Sequence, residues 1–352
     1  MNPFEQRLPQ AGWIPIKHGG TDYDLRVTTL PSSFGEHINI HIHNKSNILR
    51  GMNGLIMPPE VHDGVERLSD SPSGLVLIAG PSGSGITTTA YTALHRLNSV
   101  ERKIVTMEAT PEYNMSGLAQ SYYGAKYKVS LSETLRLLPQ MDVDTLFMGD
   151  INAPEAMLSA VDVALSGKHV IATMAATDAC MALWRLLQMG LFAEKKPERA
   201  QFQSLMDRYP VYTEKPGLPL HQALLGILSQ RLVRRICANC KETYTAPEAV
   251  LSQFGFLSDR RDEEITLFRG KGCDVCRGTG YKGRFGIFEL MTVNWEIAAL
   301  VALRAPLADI KDAAKANGMK PMREDALAKI LSGQTTPEEV TRILGRSQNI
   351  GR

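Results

Sequence analysis

The chain has 352 residues, of which 43% are hydrophobic and 22% charged, with 39 Lys and Arg against 37 Asp and Glu for a formal net charge of +2. That length favours two or three domains over one, the composition is that of a soluble globular protein, and the near-balanced charge gives no electrostatic case for nucleic acid. No apolar run approaches the roughly 20 residues of a membrane-spanning helix, and the polar start Met1-Asn2-Pro3-Phe4-Glu5-Gln6-Arg7 lacks the pattern of a signal peptide.

Residues 1–46 alternate polar and apolar side chains, with Gly19-Gly20 and Gly35 at the turns. This pattern predicts antiparallel strands, the end of a small α+β module that is short for an independent domain. From Gly74 the pattern changes. A short apolar strand at 75–79 runs into a glycine-rich loop and a helix at about 87–97. Further strands are expected at 104–107, 145–148 and 170–174, with helical stretches between them such as 154–165. Strand–helix alternation predicts an α/β fold with a twisted parallel sheet covered on both faces. Residues 190–217 are charged and proline-containing and read as an exposed connector, and residues 218–236 read as helical. From Asn294 onward the pattern is helical. Thr336-Pro337-Glu338-Glu339 has the form of a helix start, with a Thr cap, Pro in the first turn and Glu at the third position. The resulting division is 1–62, 63–215, 216–292 and 293–352.

The loop reads Gly80-Pro81-Ser82-Gly83-Ser84-Gly85-Ile86-Thr87. It fits the phosphate-binding pattern G-x-x-x-x-G-K-[ST] at every fixed position except the lysine, which is Ile86. Glycines let backbone N–H groups turn inward around an anion, and the following helix adds its positive end. Gly80, Ser82, Gly83, Ser84, Gly85, Ile86, Thr87 and Thr88 are therefore the candidate nucleotide-binding residues, with Thr87 a potential Mg²⁺ ligand. Ile86 supplies no charge and no side-chain donor. A plain strand-to-helix turn is the bland alternative.

Four of the five cysteines form two C-x-x-C pairs, Cys237/Cys240 and Cys273/Cys276, separated by the insert 241–272. Two such knuckles can place four thiolates tetrahedrally around Zn²⁺, and four cysteines leave no open position, so the site would be structural. Buried free thiols are the alternative reading. Cys180 reads as a small buried apolar residue. The alternation of His37, His41 and His43 fits a solvent-facing strand better than a metal site.

Taken together and in order, these motifs resemble the secretion ATPase superfamily, with the type II secretion and type IV pilus assembly motors as the best-fitting branch. Leu25-Arg26-Val27-Thr28-Thr29-Leu30-Pro31 resembles the N-terminal PAS-like subdomain of that family, and Gly80 to Thr88 its P-loop. Glu108 to Tyr113 stands at its Asp box, Gly149-Asp150-Ile151 at its Walker B motif, and Ser166-Gly167 to Asp178-Ala179 at its His box. Gln230-Arg231-Leu232-Val233-Arg234 precedes the first cysteine pair as it does in the family. Pilus-retraction motors lack the cysteine pairs and fit less well. The resemblance implies a RecA-like core over 63–215, preceded by an incomplete α+β subdomain and followed by a zinc-binding region and a helical C-terminal subdomain.

The departures from the family pattern fall where its chemistry lies. Besides Ile86, the Walker B glutamate is Asp150, one methylene shorter. The Asp-box aspartate is Ala109, and Lys168 and Ala175 stand where histidines are expected. Arg26 and Arg136 remain as candidate nucleotide contacts, while Trp13 and His41 occupy other arginine slots. Asp150 and Glu108 are the candidate catalytic carboxylates; Lys168 could in principle replace the lost charge, but a solvated or structural lysine is the better-fitting reading. The resemblance implies a ring, usually a hexamer, on an inner-membrane platform protein, cytoplasmic and peripheral to that membrane. The expected role is a motor subunit with weak ATP·Mg binding and little hydrolysis, alone or mixed with an active paralogue. An active ATPase with a rearranged site, or a zinc-stabilised interaction module without nucleotide, are the alternatives.

Overall fold

The computed structural model describes residues 4–44, 51–109, 111–124, 141–193, 219–247, 265–303 and 305–345, with the single positions 2, 129, 131, 134, 137, 138, 250 and 254. Three strands open the chain, β1 (Gln10–His18), β2 (Thr21–Ser32) and β3 (Gly35–Asn44). They pair antiparallel in the order β1-β2-β3, as the alternation predicts. The β1–β2 turn is Gly19-Gly20, both at positive φ (55° and 76°), where a side chain would be strained. Among the described residues this first module is sheet alone. The first helix, α1 (Pro59–Ser69), begins with Pro at its first turn. It runs through position 62 and buries Val61, Val65 and Leu68, the first two in the main core.

The rest is built on a seven-stranded sheet of order β12-β9-β4-β8-β7-β5-β6. Its strands are β4 (Gly74–Ala79), β5 (Ile104–Glu108), β6 (Leu118–Tyr122), β7 (Thr145–Met148), β8 (His169–Met174), β9 (Leu224–Ile236) and β12 (Tyr281–Thr292). All neighbours are parallel except β12, which is antiparallel to β9. Strand residues alternate between two apolar layers. Leu75, Leu77, Leu146 and Met148 face one core, together with α3 (Pro154–Leu165) and α4 (Ala179–Ala193). Ile78, Phe147 and Ile171 face the other, with α1 and α2 (Ile86–Leu97). A sheet covered on both faces needs strands that are apolar throughout, and every residue of β4, β7 and β8 is buried.

The helix expected over 218–236 does not extend along the described residues, 219–236. One turn, α5 (Leu220–Ala223), leads straight into the thirteen-residue strand β9. The apolar spacing there imitates a helical face because β9 lies between β4 and β12. A strand buried on both sides loses its alternation, and periodicity alone cannot separate it from a helix. The connector expected at 190–217 begins as the last turn of α4, and positions 194–218 lie outside the described residues.

Beyond β9 a small hairpin of β10 (Lys241–Thr245) and β11 (Thr266–Gly270) carries the cysteine region. Among the described residues four helices follow β12: α6 (Trp295–Ala302), α7 (Leu307–Ala316), α8 (Met322–Leu331) and α9 (Pro337–Leu344). The cap at Thr336 forms, its hydroxyl accepting from the Glu339 amide at 3.2 Å. The Glu339 side chain is 1% exposed and accepts from the Arg234 amide and guanidinium (both 2.9 Å) and from Arg342 (2.6 and 2.8 Å). Burial opposes its ionisation, but the Arg342 and Arg234 bonds win and hold the carboxyl at about 2. This stabilisation is complete above the ordinary carboxylate range and lost as the pH falls from about 4.5 towards about 2. Glu339→Gln is expected to remove about 3 kcal/mol at pH 6 and much less at pH 2.5, as read by urea midpoints at the two pH values. An equal loss at both would refute the linkage.

Candidate functional site

The P-loop segment leaves β4 at the carboxyl edge of the parallel sheet, where ligands bind in open α/β folds. Its conformation needs its glycines. A Cβ on Gly80 would lie 2.3 Å from Ser84 Oγ and 2.6 Å from the Gln230 carbonyl. Gly83 and Gly85 have φ of 76° and 83°, and α2 starts directly after Gly85. The loop is braced from β9: Gln230 Nε2 donates to the Ser84 carbonyl (2.8 Å), and Gln230 Oε1 accepts from Thr89 Oγ1 (2.8 Å). Ser84 Oγ is buried and has no hydrogen-bond partner among the described residues. Thr88 Oγ1 lies 3.3 Å from the Tyr113 hydroxyl. Ile86 packs against the apolar cluster that includes Met52, Val61 and Leu94. Position 86 thus contributes to the core and gives the loop no charge.

Asp150 follows β7, two strands from β4 and at the same edge. Adjacent strands lie about 4.8 Å apart, so the loop and Asp150 face each other across the end of β8. Asp150 is exposed and left-handed (φ 58°), with its amide donating to Thr173 Oγ1 (2.8 Å) and its carboxylate accepting from Asn152 Nδ2 (3.2 Å). Non-glycine residues in this region cost free energy and cluster at functional sites. Glu108 ends β5 and is 4% exposed. It accepts from the Tyr91 hydroxyl at 2.7 Å, and Gln120 donates to the same hydroxyl at 3.1 Å. Burial raises the Glu108 carboxyl above its ordinary range against these hydrogen bonds. Glu108 is thereby a tie between β5 and α2, whereas Asp150 opens to solvent.

Arg26 on β2 lies 3.9 Å from Glu112, which joins the first sheet to the segment after β5. Arg136 lies outside the described residues. Lys168 is not a substitute for the missing lysine. It precedes β8 at the amino edge, where Gly74 pairs with His169, whereas the loop leaves beyond Ala79 opposite Met174. Six residues of strand separate the two edges by about 20 Å. Lys168 instead lines a cleft of about 900 Å³ with Arg102, Lys103, Asp142 and Asp144. Two arginines do approach the loop-bearing edge: Arg185 donates to the Ala175 carbonyl, and Arg231 to the carbonyls of Thr177 (3.2 Å) and Ile343 (2.5 Å). Neither these arginines nor the Gln230 brace stands out in the sequence, where Gln230 and Arg231 register only as a segment before the cysteines.

The four cysteines converge. The Sγ atoms of Cys237 and Cys273 lie 3.9 Å apart, those of Cys240 and Cys276 3.8 Å, and those of Cys273 and Cys276 3.7 Å. All four fall within 4.8 Å of one another. The amides of Gly272, Cys273 and Gly280 and the Asn239 side chain point at these sulfurs at 3.2–3.3 Å. Burial would raise the Cys276 thiol, but the Cys273 and Gly280 amides bring it down to about 6, while burial and the neighbouring thiols push Cys240 up, so the four sulfurs share their protons as one cluster. Gly270 and Gly280 cross in backbone contact, and a Cβ on Gly270 would sit 2.0 Å from the Gly280 carbonyl. This donor set can hold one tetrahedral metal ion.

The family model described as "Type II/IV secretion system protein" matches residues 1–342. Among curated proteins, the chain is 34% identical over 340 residues to the type IV pilus assembly ATPase PilB of Thermus thermophilus, covering 97% of this chain and 35% of that protein. It is 35% identical over 339 residues to the type II secretion system protein HxcR of Pseudomonas aeruginosa, with 96% and 63% covered. With the type II secretion system ATPase E of Vibrio cholerae it shares 33% over 343 residues, covering 97% and 63%. The chain spans 35% to 63% of the length of these relatives. Among solved structures, the fold resembles the ADP-bound pilus retraction motor PilT (TM-score 0.60, 18% identity, 96% of this chain and 78% of that one). It also resembles the ATPase DotB of Legionella pneumophila (TM-score 0.60, 14% identity, 96% and 77%).

Proposed function

We propose that this chain, which belongs to the Type II/IV secretion system protein family, is a motor-type subunit of a type II secretion or type IV pilus machine with a degenerate nucleotide site. In this reading it binds ATP weakly and hydrolyses it slowly or not at all. It works in a cytoplasmic ring, usually of six, alone or with an active paralogue, seated on an inner-membrane platform protein. The observation that carries the reading is Ile86, a partly buried apolar side chain packed against the core at the lysine position of an otherwise complete loop. Two arginines at that edge, Arg185 and Arg231, are engaged with backbone carbonyls.

Phosphoryl transfer depends mainly on positioning and charge stabilisation. Loss of one such donor costs about 3–4 kcal/mol at the transition state, or roughly two to three powers of ten in rate. The surviving glycines, the unpartnered Ser84 hydroxyl and Thr87 would hold the phosphates and Mg²⁺, whose chemistry is charge neutralisation. We expect purified protein with saturating Mg-ATP to release phosphate at least about a hundredfold more slowly than its Ile86→Lys variant. ATP should raise the melting temperature of the variant more than that of the parent. A lysine stem can follow the apolar path of Ile86 and place its charge at the loop.

The alternative of an active enzyme draws on one observation, the left-handed Asp150 at the same sheet edge. Brisk turnover by the unmodified chain, abolished by Asp150→Ala, would establish it and overturn the degenerate reading. The cysteine cluster is proposed as a structural zinc site. Thiolates about 2.3 Å from Zn²⁺ form a tetrahedron with edges of about 3.8 Å, close to the sulfur separations of 3.7–3.9 Å.

A further inference from the structure

The amino edge of the parallel sheet carries a concave surface that the nucleotide site does not use. Lys103, Asp144 and Lys168 each stand one residue before a strand, and those strands begin in register, Ile104 beside Thr145 and Thr145 beside His169. Adjacent strands lie about 4.8 Å apart, so the three backbones form a row about 10 Å long whose charges alternate in sign. Gly117 extends the row by one strand, since Leu118 pairs with Ile104. Asn98 packs on this glycine, and a Cβ there would fall 2.5 Å from its Oδ1. The turn from α2 to β5 closes one side of the resulting cleft of about 900 Å³, whose charged lining is Arg102, Lys103 and Lys168 against Glu101, Asp142 and Asp144. Arg102 and Lys168 are half-buried and the other four exposed. None of the six has an ion-pair partner among the described residues. Asp144 accepts from the Lys103 amide at 2.7 Å. Arg102 acts on Asp70 only through space, because the Asp70 carboxylate pairs with Arg96.

We propose that this cleft binds a small zwitterion, a molecule with a carboxylate and an amine or guanidinium several ångström apart, its anionic end at Arg102 and Lys168 and its cationic end at Glu101 and Asp142. Unpaired charges of both signs in one cleft discriminate by sign. A pure anion meets the cations but is repelled by as many acids, and a pure cation fares no better. A ligand with one charge of each sign pairs with both sets, and like charges brought face to face exclude the rest. A polyphosphate calls for a basic lining without acids, and an apolar ligand finds only Val100, exposed on the turn. The volume lies within the range of small-molecule sites, about 300–1,000 Å³, and leaves room for a chain of amino-acid length between the two charges. The cleft is about 20 Å from the phosphate loop, at the other end of the strands, so its occupancy does not depend on whether that loop holds nucleotide.

The test is a ligand-observed NMR titration of the full chain with three compounds of similar length: γ-guanidinobutyrate, which carries both charges, agmatine, which is only cationic, and glutarate, which is only anionic. γ-Guanidinobutyrate is expected to bind with a Kd of about 1 mM and the other two at least about tenfold more weakly. The preference should then invert in opposite directions. R102A/K168A leaves an acidic cleft, so it should lose about tenfold for γ-guanidinobutyrate and gain for agmatine. E101Q/D142N leaves a basic one and should gain for glutarate instead. A general loss of structure cannot produce two opposite switches, and the comparison of the three compounds on the unmodified chain stands even if one variant folds poorly. Absence of γ-guanidinobutyrate binding up to about 20 mM, equal binding of the three compounds, tighter binding of glutarate or inorganic phosphate, or an unchanged preference in both folded variants would overturn the proposal.

Discussion

Cys273→Ser, or prolonged treatment with a strong chelator, is expected to lower the melting temperature by more than about 10 °C and to release close to one zinc ion per chain. Metal binding to a structural four-cysteine site contributes on the order of 10 kcal/mol of folding free energy in small modules, against about 5–15 kcal/mol for the net stability of a whole domain. The cluster lies where that contribution spreads. Cys237 directly follows β9 and its amide donates to the Gly280 carbonyl (2.9 Å), just before β12. If the proposed ion is there, its loss would loosen two adjacent strands of the main sheet as well as the β10–β11 hairpin. Elemental analysis and a cobalt-substituted absorption spectrum read the site directly. A chain that holds no metal, or that melts unchanged after losing it, would reject the assignment.

Lys329→Met is expected to cost about 3–5 kcal/mol. Lys329 and Asp325 are 5% and 8% exposed. The Lys329 ammonium donates to Asp325 Oδ2 and to the Gly286 carbonyl (both 2.7 Å), and Asp325 also accepts from the Phe288 amide (2.8 Å). Methionine fills the same apolar path but strands the Asp325 charge inside the protein. Burial already raises the Asp325 carboxyl and lowers the Lys329 ammonium, so removal of the cation pushes Asp325 further up. A folded state that holds a proton more tightly than the unfolded chain gains stability as the pH falls. The deficit of Lys329→Met should therefore shrink towards pH 4. Adding Asp325→Asn, which keeps an acceptor for Phe288, should recover most of the loss at neutral pH. Urea denaturation of the single and double variants decides the matter, and equal midpoints would show that the stranded charge is not the cause.

The central sheet was legible because β4, β7 and β8 are short apolar runs with helices between them. The loop was legible because its three glycines and small residues stand between an apolar strand and a helix at phosphate-loop spacing. The strand β9 was not, since double burial removes the period-two signal and leaves leucines at helical spacing. Contacts that cross the chain were hidden for another reason. Gln230 reaches Ser84 and Thr89 from 146 and 141 residues away, and nothing local marks it. For Lys168 the bland reading of a solvated or structural lysine stands, and only the fold shows which end of the sheet it occupies. Glu108 stands at its motif position, yet only the fold reveals that Tyr91 claims its carboxylate. Arg136 lies outside the described residues, and its proposed contact rests on the resemblance alone.

One buried acid joins distant parts of the fold. Glu289 on β12 accepts from the Ala179 amide through one oxygen and from the Met322 amide through the other, both at 3.0 Å. Those amides open α4, which follows the strand beside the phosphate loop, and α8, in the C-terminal helices. A carboxylate is rigid, and hydrogen bonds of this kind weaken once either partner moves by much more than about half an ångström. The two helices are thus yoked at their first turns. Any tilt of the C-terminal bundle must drag α4 along or break a bond in a dry interior, so this pair would behave as one lever arm in whatever motion the subunit performs.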